Sequence, residues 1–209
     1  MSDVFYTIDL ELADRILPSY CCISIIQWSD GIIKNVYSSL LYPDCDIEEY
    51  MQKRHGIKAK DLKDAPTFAN VWNELFPIIK GKMIFFANGA KEVAMLQQRL
   101  AADYLSMPNF KYGSVMSICR RTWDNISKYN METVTSELNI SSTHFNSLND
   151  AVSMGIIIGK SMEYHKVDTV VALFDKIGYS GGYIIGNTKV PYRAIKDKRS
   201  GEFYEKIER

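Results

Sequence analysis

Cysteine is scarce in this chain and is never placed at metal or redox spacing. Cys21, Cys22, Cys45 and Cys119 contain no C-x-x-C pair, which excludes a zinc ribbon and a dithiol redox motif. They are expected as reduced, mostly buried thiols of a cytoplasmic protein. No apolar run approaches the ~18 residues of a membrane span, and no signal-peptide pattern is present, so no membrane partner is expected. An excess of either charge is also missing, with Lys+Arg 25 against Asp+Glu 25. A uniformly basic nucleic-acid coat is thereby excluded, while a local basic groove would leave the total unchanged. Internal repeats and low-complexity tracts are absent too. The glycines at Gly181-Gly182 follow no strand-to-helix phosphate fingerprint.

What is present is an ordinary globular composition, 46% hydrophobic and 24% charged over 209 residues. That length suits one α/β domain, placed at residues 1–164, with a small C-terminal appendage at 165–209. The chain opens with a strand over Phe5–Glu11, then a short connection over Leu12–Ser19, a second strand over Tyr20–Trp28, a hairpin turn at Asp30-Gly31 and a third strand over Ile32–Tyr42. These form an antiparallel meander. Short helical patterns follow over Ile47–Arg54 and, after Pro66, from Thr67 to near Gly81, with Phe68, Val71, Trp72, Leu75 and Phe76 on one face. Met83–Phe86 is fully apolar, as expected of a parallel strand covered on both sides. Glu92–Tyr104 reads as a helix, Ser114–Ile118 as a fifth strand or a helix start, and Arg120–Asn125 and Glu132–Leu138 as helices. Ser147–Tyr164 is a long helix whose Gly155 and Gly159 suit close packing on a sheet. Thr169–Ile177 is one more helix, followed by a Gly-rich turn at Gly181-Gly182. From Lys189 the tail carries seven basic residues against four acidic, the composition of a solvated surface. The pattern predicts a mixed five-stranded sheet flanked by helices.

The first strand, Phe5-Tyr6-Thr7-Ile8-Asp9-Leu10-Glu11, carries the chemistry. Alternation puts Asp9 and Glu11 on one side and Ile8 and Leu10 on the other. Neighbouring carboxylates raise the cost of ionising one another, and a bound divalent cation removes that cost. The bland reading is a strand running out into solvent. A metal site requires further acids that reach the same point.

The order of segments supplies a comparison. Asp-x-Glu on a first strand, a meander, His55-Gly56-Ile57, Asp64-Ala65-Pro66-Thr67-Phe68 at a helix start, an apolar strand into Ala87-Asn88-Gly89-Ala90, and a late His144 followed by Leu148-x-Asp150-Ala151 resemble the DnaQ-like DEDDh exonucleases. That is the proofreading ε-subunit type of the ribonuclease H-like fold. The resemblance covers residues 4–164. It implies a 3′→5′ exonuclease that hydrolyses the terminal phosphodiester of DNA or RNA with two Mg²⁺ or Mn²⁺ ions. By the same resemblance Asp9, Glu11 and Asp150 are metal ligands, and a polymerase or another replication or repair protein is a partner.

Two positions depart from the family's pattern. Glu92 stands where the second motif has Asp, and its extra methylene moves the oxygens by over an ångström, which weakens the second ion's site. Lys91 stands beside it where Phe is usual, and could pair with Glu92. The family's general base is a histidine five residues before the last Asp, and that position here is Phe145, which cannot accept a proton. His144 is adjacent and is the one candidate to take over as base. A general base contributes about 10²–10⁴-fold, so activity should be weakened or lost. The alternative is a catalytically inactive pseudo-exonuclease that serves as a nucleic-acid- or protein-binding module.

Leu10, Leu12, Tyr20, His55, Asn88 and Phe145 are the candidate substrate contacts. His55-Gly56-Ile57 reads equally as a turn closing a helix, and Ser147 with Asp150 as a capping box. Trp72 and Trp123 are expected in the core. Arg120 and Arg121 are possible phosphate contacts or solvated helix residues.

Overall fold

The computed structural model describes residues 3–14, 18–142, 146–186 and 188–190. The meander is formed by β1 (Val4–Asp14), β2 (Ser19–Ser29) and β3 (Ile32–Leu40), with Asp30 and Gly31 both at positive φ in the β2–β3 turn. Helix α1 (Glu49–His55) and a 3-10 turn (Ala59–Leu62) follow, then α2 (Phe68–Ile79), whose N-cap Thr67 accepts from the Asn70 N–H. The chain continues through β4 (Met83–Phe86), α3 (Ala90–Ala102), β5 (Phe110–Ser114), α4 (Val115–Thr122) and α5 (Met131–Glu137). It then forms α6 (Ser147–His165), α7 (Val170–Ile177), β6 (Gly182–Ile185) and β7 (Thr188–Val190).

The strands make one mixed sheet in the order β3-β2-β1-β4-β5-β6-β7. Strand β4 runs parallel to β1 and to β5, and every other pair is antiparallel. This is the expected α/β architecture with seven strands in place of five. The added pair is β6 and β7. They are short, and the glycines before them read as a turn, yet Gly182 takes part in the β5–β6 ladder. A Cβ on Gly182 would lie 2.3 Å from the Tyr112 ring, so this pairing requires glycine. Ser114 both ends β5 and caps α4, where its hydroxyl accepts from the Ser117 N–H.

One face of the sheet is covered by α2 and α3, the other by α4, α5, α6 and α7, giving two separate cores. In β4, Ile84 and Phe86 enter the first core and Phe85 the second. Continuous hydrophobicity is what a strand covered on both faces requires. A smaller third cluster of Ala13, Cys21, Ile47, Met51 and Leu62 seats α1 against the end of β1.

Two hydrogen bonds fix α6 against β1, and one from β2 braces the Thr7 hydroxyl that makes the first. Thr7 Oγ1 donates to the Ala151 carbonyl at 2.7 Å, Trp28 Nε1 donates to Thr7 Oγ1 at 3.1 Å, and Ser147 Oγ donates to the Asp9 carbonyl at 3.2 Å. Gly155 is the close-contact point, since a Cβ there would lie 2.0 Å from the Trp28 ring. Gly159 has no such role and faces open space. The N-cap of α6 is Asn146, which accepts from the Asn149 N–H, so Ser147 is a tie to β1 and not the cap.

Candidate active site

Tyr6, Ile8 and Leu10 point into the α2–α3 core, whereas Phe5 belongs to the α6-side core and Thr7 bonds to α6. Asp9 and Glu11 continue the α6-facing row, as strand alternation requires. The β1–β2 register slips between Glu11 and Leu12 and again before Asp14. Such irregularities bend a strand and re-aim its side chains at a sheet edge or next to a site. Asp150 comes from the first turn of α6, which the Ser147 tie holds beside the Asp9 backbone. One carboxylate oxygen each from Asp9, Glu11 and Asp150 lies within 4.8 Å of the others.

Crowding and burial act together on these acids. Burial, then the charges of Glu11, Asp150 and Glu92, raise the Asp9 carboxyl well above its ordinary range, and Arg54 only partly opposes them. Burial and the Asp150 charge push Glu11 up to about 7, again against Arg54. Three oxygen donors drawn together at such an electrostatic cost fit a hard divalent cation. Asp9, Glu11 and Asp150 are the residues that could hold it.

Glu92 stands apart from that group. It lies in the first turn of α3, entered through Gly89 at φ 72°, a backbone conformation that favours glycine. Its Oε1 accepts from the Asn88 N–H at 3.0 Å and from Asn88 Nδ2 at 3.2 Å. Its Oε2 is buried without a hydrogen-bond partner among the described residues. Asn88, not Lys91, holds this carboxylate, and Lys91 is exposed on the cleft rim.

The acids form the floor of a cleft of about 890 Å³. Leu10, Leu12, Tyr20 and Asn88 line it. Other lining residues carry no signal in the sequence, among them Tyr50 and Arg54 of α1, Met95 of α3, and Lys128, Tyr129 and Met131 before and at the start of α5. None of these belongs to a local motif. A second cavity of about 330 Å³ shares Glu11 and is lined by His55, Ile57, Leu40 and Ser147.

His55 is anchored by hydrogen bonds. Its Nδ1 accepts from the Ile57 N–H at 3.1 Å, which leaves the proton on Nε2 to donate to the Leu12 carbonyl at 3.1 Å. Burial lowers its pKa, the Leu12 bond opposing. The ring thus pins β1 one residue beyond Glu11. Arg120 and Arg121 line neither cavity: Arg120 stacks over the Tyr129 ring at 5.1 Å and Arg121 over Tyr179 at 5.8 Å. Trp72 is buried in the α2–α3 core, and Trp123 packs partly buried against the other. Cys21, Cys22 and Cys119 are buried free thiols, and Cys45 is exposed. His144 and Phe145, the candidate base and the residue at the base position, lie outside the described residues.

Comparison with known proteins places the chain in a family. The RNase T exonuclease family matches residues 14–148. The chain belongs to that exonuclease family. The matched range begins after Glu11 and ends before Asp150, so the acid cluster is an observation independent of it. No curated protein matches the chain in sequence. Among solved structures, Exonuclease X in complex with 5′-overhanging duplex DNA aligns with TM-score 0.65 and 18% identity over 83% of this chain and 99% of that one. A 3′-exonuclease that recognises the 3′ end of the histone mRNA stem-loop aligns with TM-score 0.70 and 10% identity over 91% and 95%. The nuclease domain of 3′hExo, a DEDDh family member bound to rAMP, aligns with TM-score 0.69 and 12% identity over 78% and 92%. At these identities the likeness is one of fold. Among the described residues no helix is long and apolar enough to cross a membrane.

Proposed function

We propose that the chain is a DEDDh-type 3′→5′ exonuclease with weakened activity, acting on nucleic-acid 3′ ends. The observation that carries this reading is the convergence of Asp9, Glu11 and Asp150 within 4.8 Å at the floor of a large cleft. Asp9, Glu11 and Asp150 would hold Mg²⁺ or Mn²⁺, with Glu92 giving weak help to a second ion from the same cleft. The bound ions, when present, supply neutralisation of phosphate charge and acidify a water molecule. Asn88 holds Glu92 in place, and Ser147 and His55 hold the backbone on either side of the acids. Leu10 and Leu12 offer an apolar wall to the terminal nucleotide. The step this chain supplies worst is proton removal from the attacking water, because Phe145 occupies the base position and only His144 adjoins it. The order of motifs is that of the proofreading ε-type, which makes a polymerase or repair assembly the expected partner class.

The test is stepwise shortening of a 5′-labelled single strand in Mn²⁺. Shortening in the wild type that disappears in Asp9→Ala supports the reading. No shortening together with no thermal shift on adding Mn²⁺ overturns it and leaves the pseudo-exonuclease binding module.

A further inference from the structure

The charge of the cleft is divided by height. The floor holds Asp9, Glu11, Glu92 and Asp150, while Arg54, Lys91 and Lys128 stand exposed around the rim. A polyanion would be repelled by the floor and held by the rim, and two of the rim cations sit beside tyrosines. Tyr50 lies one helical turn before Arg54 on α1 and is 54% exposed. Tyr129 follows Lys128 directly, and both line the cleft.

The two tyrosines reach the cleft from different parts of the fold. Helix α1 is seated on the third cluster at the end of β1, whereas Tyr129 packs against the α6-side core. Tyr129 is also immobilised. Its hydroxyl donates to the Trp123 carbonyl, and the Arg120 guanidinium lies over its ring at 5.1 Å. A ring held by a hydrogen bond and a cation loses little further freedom when a base stacks on it, so the surface is preorganised. Alternating aromatic and basic side chains along a groove are the chemistry of single-stranded nucleic-acid binding, in which bases stack and cations track the phosphates. A base inside a duplex is stacked on both faces, and a blunt end exposes only one face of its last pair, so a single strand offers many more stacking faces.

We infer that Tyr129 is a base-stacking platform and Lys128 its phosphate contact, with Tyr50 and Arg54 as a second such pair, so that the cleft takes an unpaired 3′ strand. This deepens the exonuclease reading and rests on it. The segment 123–131 then has a function of its own. Tyr129→Ala removes the platform, Tyr129→Phe keeps the ring, and Lys128→Ala removes one exposed cation without touching the core.

The experiment is fluorescence anisotropy with a labelled oligothymidylate whose 3′ linkages are phosphorothioates, and with a blunt duplex of equal length. The wild type should bind the single strand more tightly than the duplex. Tyr129→Ala should weaken single-strand binding about tenfold and abolish that preference, while Tyr129→Phe stays close to wild type. Lys128→Ala should lower the slope of log K against log salt by about 0.7. Equal single-strand affinity in Tyr129→Ala and wild type, or an unchanged salt slope in Lys128→Ala, overturns the inference and leaves the nuclease reading intact. Absence of any binding by the wild type, with no strand shortening in Mn²⁺, overturns both.

Discussion

At the scale of single residues, the proposed exonuclease reading turns on two positions, Glu92 and Phe145, that would act on different steps. Glu92 keeps a charge near Asp9 but commits one oxygen to Asn88. On that reading Phe145 offers no proton acceptor at the base position, which leaves only the adjacent His144. Phe145→His should therefore raise the rate of strand shortening in Mn²⁺ by about 10²–10⁴-fold, and the gain should vanish in the Asp9→Ala background. A flat response would mean that proton removal does not limit the rate. His55 provides a second residue-scale test. Its bonded form is neutral, and its folded pKa lies below the ordinary value of 6.5. The unfolded chain therefore binds the proton first as pH falls. The stability that His55 contributes is complete above pH 6.5 and is lost as pH falls through the lowered folded value. Thermal melts should show the wild type's advantage over His55→Gln largest above pH 7 and shrinking toward pH 5. An advantage constant across that range would rule out the neutral clamp on Leu12.

At the scale of elements, helix α6 decides whether the acids meet, because it carries Asp150 and is tied to β1 through Thr7 and Ser147. Gly155→Ala forces a methyl into the Trp28 ring, where only a shift of helix or ring relieves it. Denaturant melts should show a loss of about 1–3 kcal/mol or more, and the Mn²⁺-induced thermal shift should shrink with it. Gly159→Ala has open space, so helix propensity alone acts, and it should be neutral or stabilising by up to about 1 kcal/mol. A reversed order would show that α6 is not seated at Gly155. This contrast also explains what the sequence could convey. Alternation along β1 is a local rule, so the shared face of Asp9 and Glu11 was legible, and the motif order led to Asp150. Two glycines four residues apart look alike in sequence, and only the neighbouring Trp28 separates them. Strand β6 was hidden because Gly181-Gly182 is locally a turn signal, and its pairing depends on the flank of Tyr112. Tyr50, Arg54, Lys128 and Tyr129 were not legible because the tertiary fold, not spacing, brings them to one cleft.

For the whole molecule, the question is whether residues beyond 164 are ornament or core. Tyr179, Val170 and Leu173 are buried in the same core as the α6 residues Met154 and Ile158. The Tyr179 hydroxyl accepts from the Ser114 N–H at 2.8 Å, at the junction where β5 becomes α4. Phe174 packs edge-on against Phe85 of β4, with ring centroids 5.9 Å apart, and against Tyr179 at 4.8 Å. Strand β6 covers the edge of β5, which would otherwise present its backbone groups to other chains. Removing residues 165–209 would uncover Phe85, Tyr112 and Val115, which lie at the centre of the sheet and its α4 side. The shortened chain should lose its cooperative thermal transition and aggregate, and its Mn²⁺ response should go with the fold, although every acid of the site lies within the retained residues. A sharp, reversible melt of residues 1–164, with the Mn²⁺ shift preserved, would show that the acids are organised by β1 and α6 alone and that the C-terminal elements serve another purpose.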